Sequence, residues 1–221
     1  MSKLILLRHF KSQWNLENRF TGWTDVPVSL EGKEKVEEIA DKIAGIKIDV
    51  AYTSPLIRNM ESCLLLLRRG ERYPIFKHLK SKMEKWGNFK ELNGKYLPVF
   101  VNENLNERYY GDLQGFDKAE VMAKYGEKLV HLWRRSFKKA PPKGESLADV
   151  VKRVKPLFKN IEKDLLQGKN VLVVASHNSL RALIKEIEKI SDDDIINLEV
   201  PYAGLTQYEF ERGVYKKINS Y

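Results

Sequence analysis

Two stretches of the chain are continuously apolar, and each runs straight into a histidine. Leu4-Ile5-Leu6-Leu7 discharges into Arg8-His9, and VLVVAS, residues 171–176, discharges into His177. Apolar runs without alternation read as strands buried on both faces of a sheet. Between and around them, strand-like and helix-like patterns take turns. Ser29 is placed to cap a helix in which Val36, Ile39, Ala40 and Ile43 recur at helical spacing, with Gly45 closing it. IDVAYTSP reads as a second strand, and Ser54-Pro55 as an N-cap with proline in the first helical position of a helix reaching about Arg69. Residues 70–97 form the least regular block. YLPVFV follows as a short strand, where Pro98 argues for an edge position or the strand's start. NENLNERYYGDLQG reads as a loop, and two helical stretches follow around residues 117–137.

Farther on, Ser146 and Asp149 form a capping-box pair ahead of a long amphipathic helix with Leu147, Val150, Val151, Val154, Leu157, Phe158, Ile161 and Leu165 on one face. Pro156 is expected to kink it. A helix opens at once after the apolar run ending at Ser176, and LTQYEFERGVYKKI closes the pattern as a hairpin turning at Arg212-Gly213. Neither repeats nor an interdomain linker interrupt the pattern. Strands alternating with helices predict one α/β domain spanning residues 1–221, three-layered, with a mostly parallel sheet flanked by helices.

Composition narrows the classes. With 221 residues the chain can bury a sizeable core, and no apolar run approaches the roughly 18 residues of a membrane span. The start Met-Ser-Lys and four apolar residues is too short for a signal peptide, and the single cysteine, Cys63, excludes an internal disulfide; both predict a cytoplasmic protein. The balance of 39 basic against 30 acidic residues, a net +9, favours anionic partners: small phosphorylated or carboxylated metabolites, nucleic acid or a membrane surface.

The candidate chemistry sits at strand ends. In a parallel sheet both histidine-bearing strands finish on one edge, so His9 and His177 can lie side by side where open α/β sheets bind ligands. Asn178 and Ser179 begin the helix after the second of them, and a helix N-terminus favours an anion. Arg58 falls in the first turn of the helix after the second strand, at the same edge. Arg8, His9, Arg58 and His177 together make a pocket for a dianion, most economically a phosphoryl group. Neighbouring cations disfavour protonation of His9 and keep it nucleophilic near neutral pH. Glu107, on the loop after YLPVFV, is the candidate proton carrier. No metal-ligand spacing stands out, and none is expected to be needed.

LLRHFKSQWNLENRFTGWTD, YTSPLIRNMES, LNERYYGDLQGFDKAEV, LWRRSF and ASHNSLRAL, in this order, resemble the cofactor-dependent phosphoglycerate mutases of the histidine phosphatase superfamily. The resemblance runs from the first strand to the last helix and fails chiefly in residues 70–97, which are longer than the family's segment and read as an insertion. It implies a phosphoglycerate mutase-like fold and interconversion of 3-phosphoglycerate and 2-phosphoglycerate in glycolysis and gluconeogenesis. It implies that His9 is the phosphorylated nucleophile, primed by 2,3-bisphosphoglycerate without a metal. Arg8, Arg58, Asn15 and His177 would hold the phosphoryl group, and Glu107 would be general acid and base. Thr21 and Gly22 would line the substrate site; Tyr110, Lys118, Arg134 and Arg135 would grip the carboxylate and second phosphate, with Asn178 nearby.

Two departures from the family pattern flank the histidines. Phe10 stands where the family has Gly, so it either adopts an ordinary conformation or narrows the pocket. The family's His-Gly-Asn-Ser is one residue short here. Aligned without a gap, Ser176 takes the histidine slot; a deleted glycine keeps His177 at the strand end and is the reading adopted. The segment APPKGESL is short and the sequence stops at YKKINSY, where familiar mutases carry a tail over the site; an open site would admit water and shift turnover toward phosphatase activity. A phosphatase on small phosphorylated metabolites is accordingly the alternative enzyme. From other classes come an inactive scaffold and a single-strand nucleic-acid binder, the latter resting on Lys77, Lys80, Lys82, Lys85, Lys90 and Lys95 interleaved with Phe76, Trp86, Phe89 and Tyr96. A solvated lysine-rich insertion is the commoner origin of such a pattern. A homo-oligomer is compatible with the sequence and no membrane partner is expected.

Overall fold

A computed structural model of the chain describes residues 1–89 and 94–221. Its frame is a seven-stranded sheet of β1 (Ser2–Arg8), β2 (Val50–Thr53), β3 (Tyr73–His78), β4 (Tyr96–Val101), β5 (Val171–Ala175), β6 (Leu205–Glu211) and β7 (Val214–Ser220), ordered β3-β4-β2-β5-β1-β6-β7. From β3 to β1 every neighbour pair is parallel; β6 and β7 add an antiparallel hairpin beside β1. The helices are α1 (Gln13–Leu16), α2 (Leu30–Lys33), α3 (Val36–Lys42), α4 (Ile57–Leu67), α5 (Lys82–Trp86), α6 (Lys118–Tyr125), α7 (Glu127–Arg135), α8 (Leu147–Leu166) and α9 (His177–Glu188).

The unbroken apolar runs explain themselves in the middle of the sheet. Leu4 and Leu6 of β1, with Val171 and Val173 of β5, point into a core closed by α8 and α9. Ile5 and Leu7, with Leu172 and Val174, point the other way, into a core closed by α3 and α4. Strands with both faces covered need apolar residues at every position. A third, smaller cluster of Phe20, Leu113, Val121, Val130 and Trp133 packs α6 and α7 over the carboxyl ends of the strands.

Several local expectations need correction. The described part of residues 70–97 is not irregular: it contributes β3, α5 and the first two residues of β4. β3 is the sheet's edge strand and is only half covered, so it lacks the apolar run that marks β1 and β5. β4 is therefore not the edge, and Pro98 is its third residue. Asn102 N–H donates toward β2 while the Val101 carbonyl accepts from Leu79 on the β3 side, so alternate residues face alternate neighbours. Pro98 falls on the β2 side, one residue before that ladder begins at Val99, where no N–H is required. The helix after β2 begins at Ile57, not at Pro55: Asp25 Oδ1, from a distant loop, accepts the Ile57 N–H at 2.6 Å, while Ser54 Oγ accepts from Asn59 Nδ2 and from the Leu56 N–H. The helix capped by Ser29 divides into α2 and α3. α8 is one helix containing Pro156, the position where a kink is expected; Pro156 lies on the solvent face, as does Lys152, whose carbonyl the proline deprives of an N–H. The capping box of Ser146 and Asp149 and the hairpin turn at Arg212-Gly213 stand as read, the latter with φ of 49° and 87° at its two residues.

Candidate active site

The carboxyl ends of β1, β2 and β5 open into a cavity of about 250 Å³. Six basic side chains line it, Arg8, Arg19, Arg58, Lys118, Arg134 and Arg135, against two carboxylates, Glu107 and Glu199. His9, Asn15, Phe20, Thr21, Gly22, Tyr110, His177 and Tyr202 complete the wall. Of the residues singled out in the sequence, all reach this wall except Asn178.

His9 follows β1 directly and is 3% exposed. Its Nδ1 lies 2.7 Å from the Phe10 carbonyl, an acceptor only, so Nδ1 carries the proton and Nε2 keeps its lone pair. Burial pushes its pKa well below 6.5, and Arg58, Arg8 and His177 push the same way against the Phe10 hydrogen bond. The imidazole is thus neutral at physiological pH, with the Nε2 lone pair free. Phe10 has no left-handed backbone and packs, fully buried, with Ala203 and Leu205. It turns away from the cavity instead of narrowing it.

Arg58, 1% exposed in the first turn of α4, donates Nη1 to the Thr24 carbonyl at 3.0 Å and Nη2 to that of Gly22 at 2.6 Å. Those bonds tie the loop carrying Thr21 and Gly22 to the sheet edge. Gly22 has φ +52°, and a Cβ there would meet Gln114 Oε1 at 2.1 Å, the same oxygen that accepts the Trp23 N–H. The left-handed conformation favours glycine, and a side chain there would also displace Gln114 from the Trp23 N–H.

At the end of β5 the structure places His177, and not Ser176, against the cavity. His177 is the first residue of α9 and lines the cavity; Ser176, fully buried, accepts from Asn59 Nδ2. His177 donates Nε2–H to Glu199 at 3.2 Å. Burial lowers its pKa to about 4, with Arg8 assisting and Glu199 opposing. A histidine held neutral this way stabilises the fold above pH 6.5, and the contribution is lost as pH falls from 6.5 toward 4. Urea titrations of wild type and His177→Asn should therefore differ in their pH dependence across this window by on the order of 2–3 kcal/mol. Parallel curves would remove His177 as a source of acid lability.

Glu107 is buried on the loop after β4. Its Oε1 accepts from Asn178 Nδ2 at 2.6 Å and from the Arg108 N–H at 2.7 Å. Burial works to raise its pKa, but His177, the Asn178 amide, the Arg108 N–H and Arg8 outweigh it, so the carboxyl is held below its ordinary value and is ionised. Asn178 lies behind Glu107 and not against the cavity, and its Oδ1 is held in turn by Arg181 at 3.0 Å. Expected on the substrate side, Asn178 instead stands against the Glu107 carboxylate.

The loop itself is clamped from α8. Arg153 donates to the carbonyls of Asn104, Asn106 and Glu107 and pairs with Glu145, while Trp23 Nε1 donates to the Glu107 carbonyl at 2.6 Å. Across the cavity, burial together with Arg134 and Arg8 lowers Lys118 to about 8. Arg135 forms an ion pair with Glu199. Glu199, Tyr202, Arg19 and the clamp of Arg153 were not found from the sequence. LEVPYAG, which carries Glu199 and Tyr202, has no periodicity, and Arg153 reads as one more polar position on an amphipathic helix.

The lysine-aromatic segment makes local pairs. Lys77 lies 5.2 Å from the Phe89 ring centre and Lys82 5.4 Å from that of Trp86, while Phe76 packs on the core. Lys90 is outside the described residues. Among the described residues no group of three or more His, Cys, Asp or Glu side chains could hold a metal, and no helix is long and apolar enough to cross a membrane.

Comparison with known proteins follows the same lines. The sequence pattern of the histidine phosphatase superfamily (branch 1) matches residues 4–93 and 88–219. A 2,3-bisphosphoglycerate-dependent phosphoglycerate mutase of Gloeothece citriformis is 45% identical over 96% of this chain and 95% of its own. The protein so named in Chlamydia muridarum is 40% identical over 98% and 97%. Among solved structures, Bacillus stearothermophilus YhfR superposes with a TM-score of 0.78 at 21% identity, covering 98% of this chain and 95% of its own. A mycobacterial glucosyl-3-phosphoglycerate phosphatase gives 0.75 at 22%, over 100% and 96%. Both share the fold.

Proposed function

The chain belongs to the histidine phosphatase superfamily, and from that premise we propose that it interconverts 3-phosphoglycerate and 2-phosphoglycerate through a phosphohistidine at His9. The observation that carries the reading is the cavity's make-up: a neutral histidine with a free Nε2, a buried ionised carboxylate, and basic side chains at both ends. At about 250 Å³ the space is below the roughly 300–1,000 Å³ of typical small-molecule pockets, which suits a three-carbon acid. A phosphorylated acid has two anionic ends. Arg8, Arg58, His177 and the α9 N-terminus serve the end being transferred, and Lys118, Arg134 and Arg135 serve the other.

2,3-Bisphosphoglycerate, when bound, supplies the phosphoryl group that first loads His9. Arg8 Nε and Thr21 Oγ1, both buried without a protein partner, are donors left for such a ligand. With His9 loaded, ionised Glu107 takes the proton from the substrate's free hydroxyl as that oxygen forms its bond to phosphorus and the P–N bond to His9 breaks, returning its electron pair to Nε2. Glu107 then gives the proton to the oxygen at the other position, as His9 Nε2 forms a new P–N bond and the old P–O bond breaks. No net proton or phosphoryl group is gained or lost. Arg8 and Arg58 neutralise the equatorial oxygens throughout, where most of the rate acceleration of phosphoryl transfer arises. Glycolytic chemistry and the lone, buried Cys63 thiol support a cytoplasmic setting.

The test is an assay on 3-phosphoglycerate in EDTA, with and without 2,3-bisphosphoglycerate, following 2-phosphoglycerate and free phosphate together. Bisphosphoglycerate-stimulated 2-phosphoglycerate is the expected product. Free phosphate alone would replace the mutase with a phosphatase, and neither product would leave an inactive scaffold.

A further inference from the structure

Arg8 must present a flat guanidinium to the phosphoryl group, yet among the described residues no carboxylate pairs with it. What holds it is the segment between α9 and β6. Arg8 Nη1 donates to the Val200 carbonyl at 2.6 Å, and the Arg8 N–H donates to the Gly204 carbonyl at 3.0 Å. Between those anchors, residues 201–204 make a turn closed by the Gly204 N–H on the Pro201 carbonyl at 2.9 Å. Ala203 takes a left-handed φ of +57°, a conformation alanine rarely adopts, and its N–H reaches the His9 carbonyl at 3.4 Å. The surrounding bonds thus impose a turn that its sequence would not choose.

The turn aims Tyr202. Its ring centre is 3.6 Å from Arg8 Cζ, a stacking distance, and 6.2 Å from the centre of the His9 imidazole, tilted by 53°. Tyr202 also lines the cavity beside both residues. A single hydrogen bond at Nη1 leaves a guanidinium free to rotate about the axis through it; a ring face laid against the plane removes that freedom without consuming a donor. Nε, buried and unpartnered, stays available to the ligand.

We propose that Tyr202 is a positioning residue for phosphoryl transfer, its ring face fixing the guanidinium plane of Arg8 beside His9. The inference rests on the phosphohistidine reading above. Because Arg8 acts on the group being transferred, its alignment matters more in the transition state than in the bound ground state. Loss of the ring should therefore appear in kcat and not in KM.

Rapid-quench measurement of phosphohistidine formation, with 2,3-bisphosphoglycerate as the probe, separates the two. Tyr202→Ala should lower the maximal rate roughly tenfold with KM unchanged within about twofold. Tyr202→Phe, which keeps the face and drops the hydroxyl, should stay within about twofold of wild type. Tyr202→Leu, which fills the space without a π face, should fall with the alanine variant and guards against a trivial folding defect. A wild-type rate in the alanine variant, a loss confined to KM, full rescue by leucine, or a phenylalanine variant as slow as alanine would each overturn the proposal. Wild-type protein that never labels on His9 would sink this inference together with the phosphohistidine reading. Labelling without mutase turnover would sink the mutase reading alone and leave Tyr202 standing on its own result.

Discussion

His9→Ala is expected to leave no acid-labile, base-stable phosphate on the protein and to lose activity by on the order of 10⁴-fold or more. Among the described residues His9 alone combines a free Nε2 with a position against Arg8 and Arg58 at the end of β1; His177 begins α9 and gives its Nε2–H to Glu199. Removing the imidazole leaves the charge clamp intact, so binding of a phosphorylated acid should survive while transfer does not. Calorimetry with 3-phosphoglycerate beside a phosphoenzyme assay checks both halves. Phosphoenzyme persisting in His9→Ala would move the nucleophile elsewhere and dismantle the mechanism.

Glu107→Gln should cost about 10²–10⁴-fold in kcat on phosphoglycerate, the range for loss of a positioned acid and base. The substitution is nearly isosteric. The amide oxygen can still accept from Asn178 Nδ2 and from the Arg108 N–H, so the loop should keep its place under the Arg153 clamp. What disappears is the proton carrier. Its effect must therefore depend on how badly the leaving oxygen needs a proton. An aryl phosphate, whose phenolate leaves unaided, should load His9 in the variant nearly as fast as in wild type, whereas loading from 2,3-bisphosphoglycerate should collapse. Equal losses on both donors would mean that Glu107 organises the site and does not carry the proton.

The parts of the molecule that could be read from sequence are those where one physical requirement acts alone. β1 and β5 are covered on both faces, so every position is apolar, and their ends announce the sheet edge and with it Arg8, His9 and His177. Ser146 with Asp149 reads clearly because a capping box is a local bargain between neighbours in sequence. Ambiguity enters where partners are distant. The start of α4 is set by Asp25, thirty-two residues earlier, so the local Ser54-Pro55 signal misleads. β3 lies at an edge and carries only half a pattern. Glu199 and Tyr202 reach the cavity from a turn whose shape depends on bonds to Arg8 and His9 and leaves no mark on the order of apolar and polar residues.

The position of β1 at the heart of the sheet also governs how the molecule comes into being. Leu4 pairs with Val171 on one side and Tyr208 on the other, so the strand that ends in Arg8-His9 finds both its neighbours only in the last quarter of the chain. Contacts of such long sequence separation are closed late and slowly. During synthesis β1 is made well before its partners and remains without them until residues 171–175 and 205–210 have emerged. On a nascent chain the cavity around His9 is therefore unassembled and open to water, and it closes only once β5 and β6 have joined β1 in the sheet.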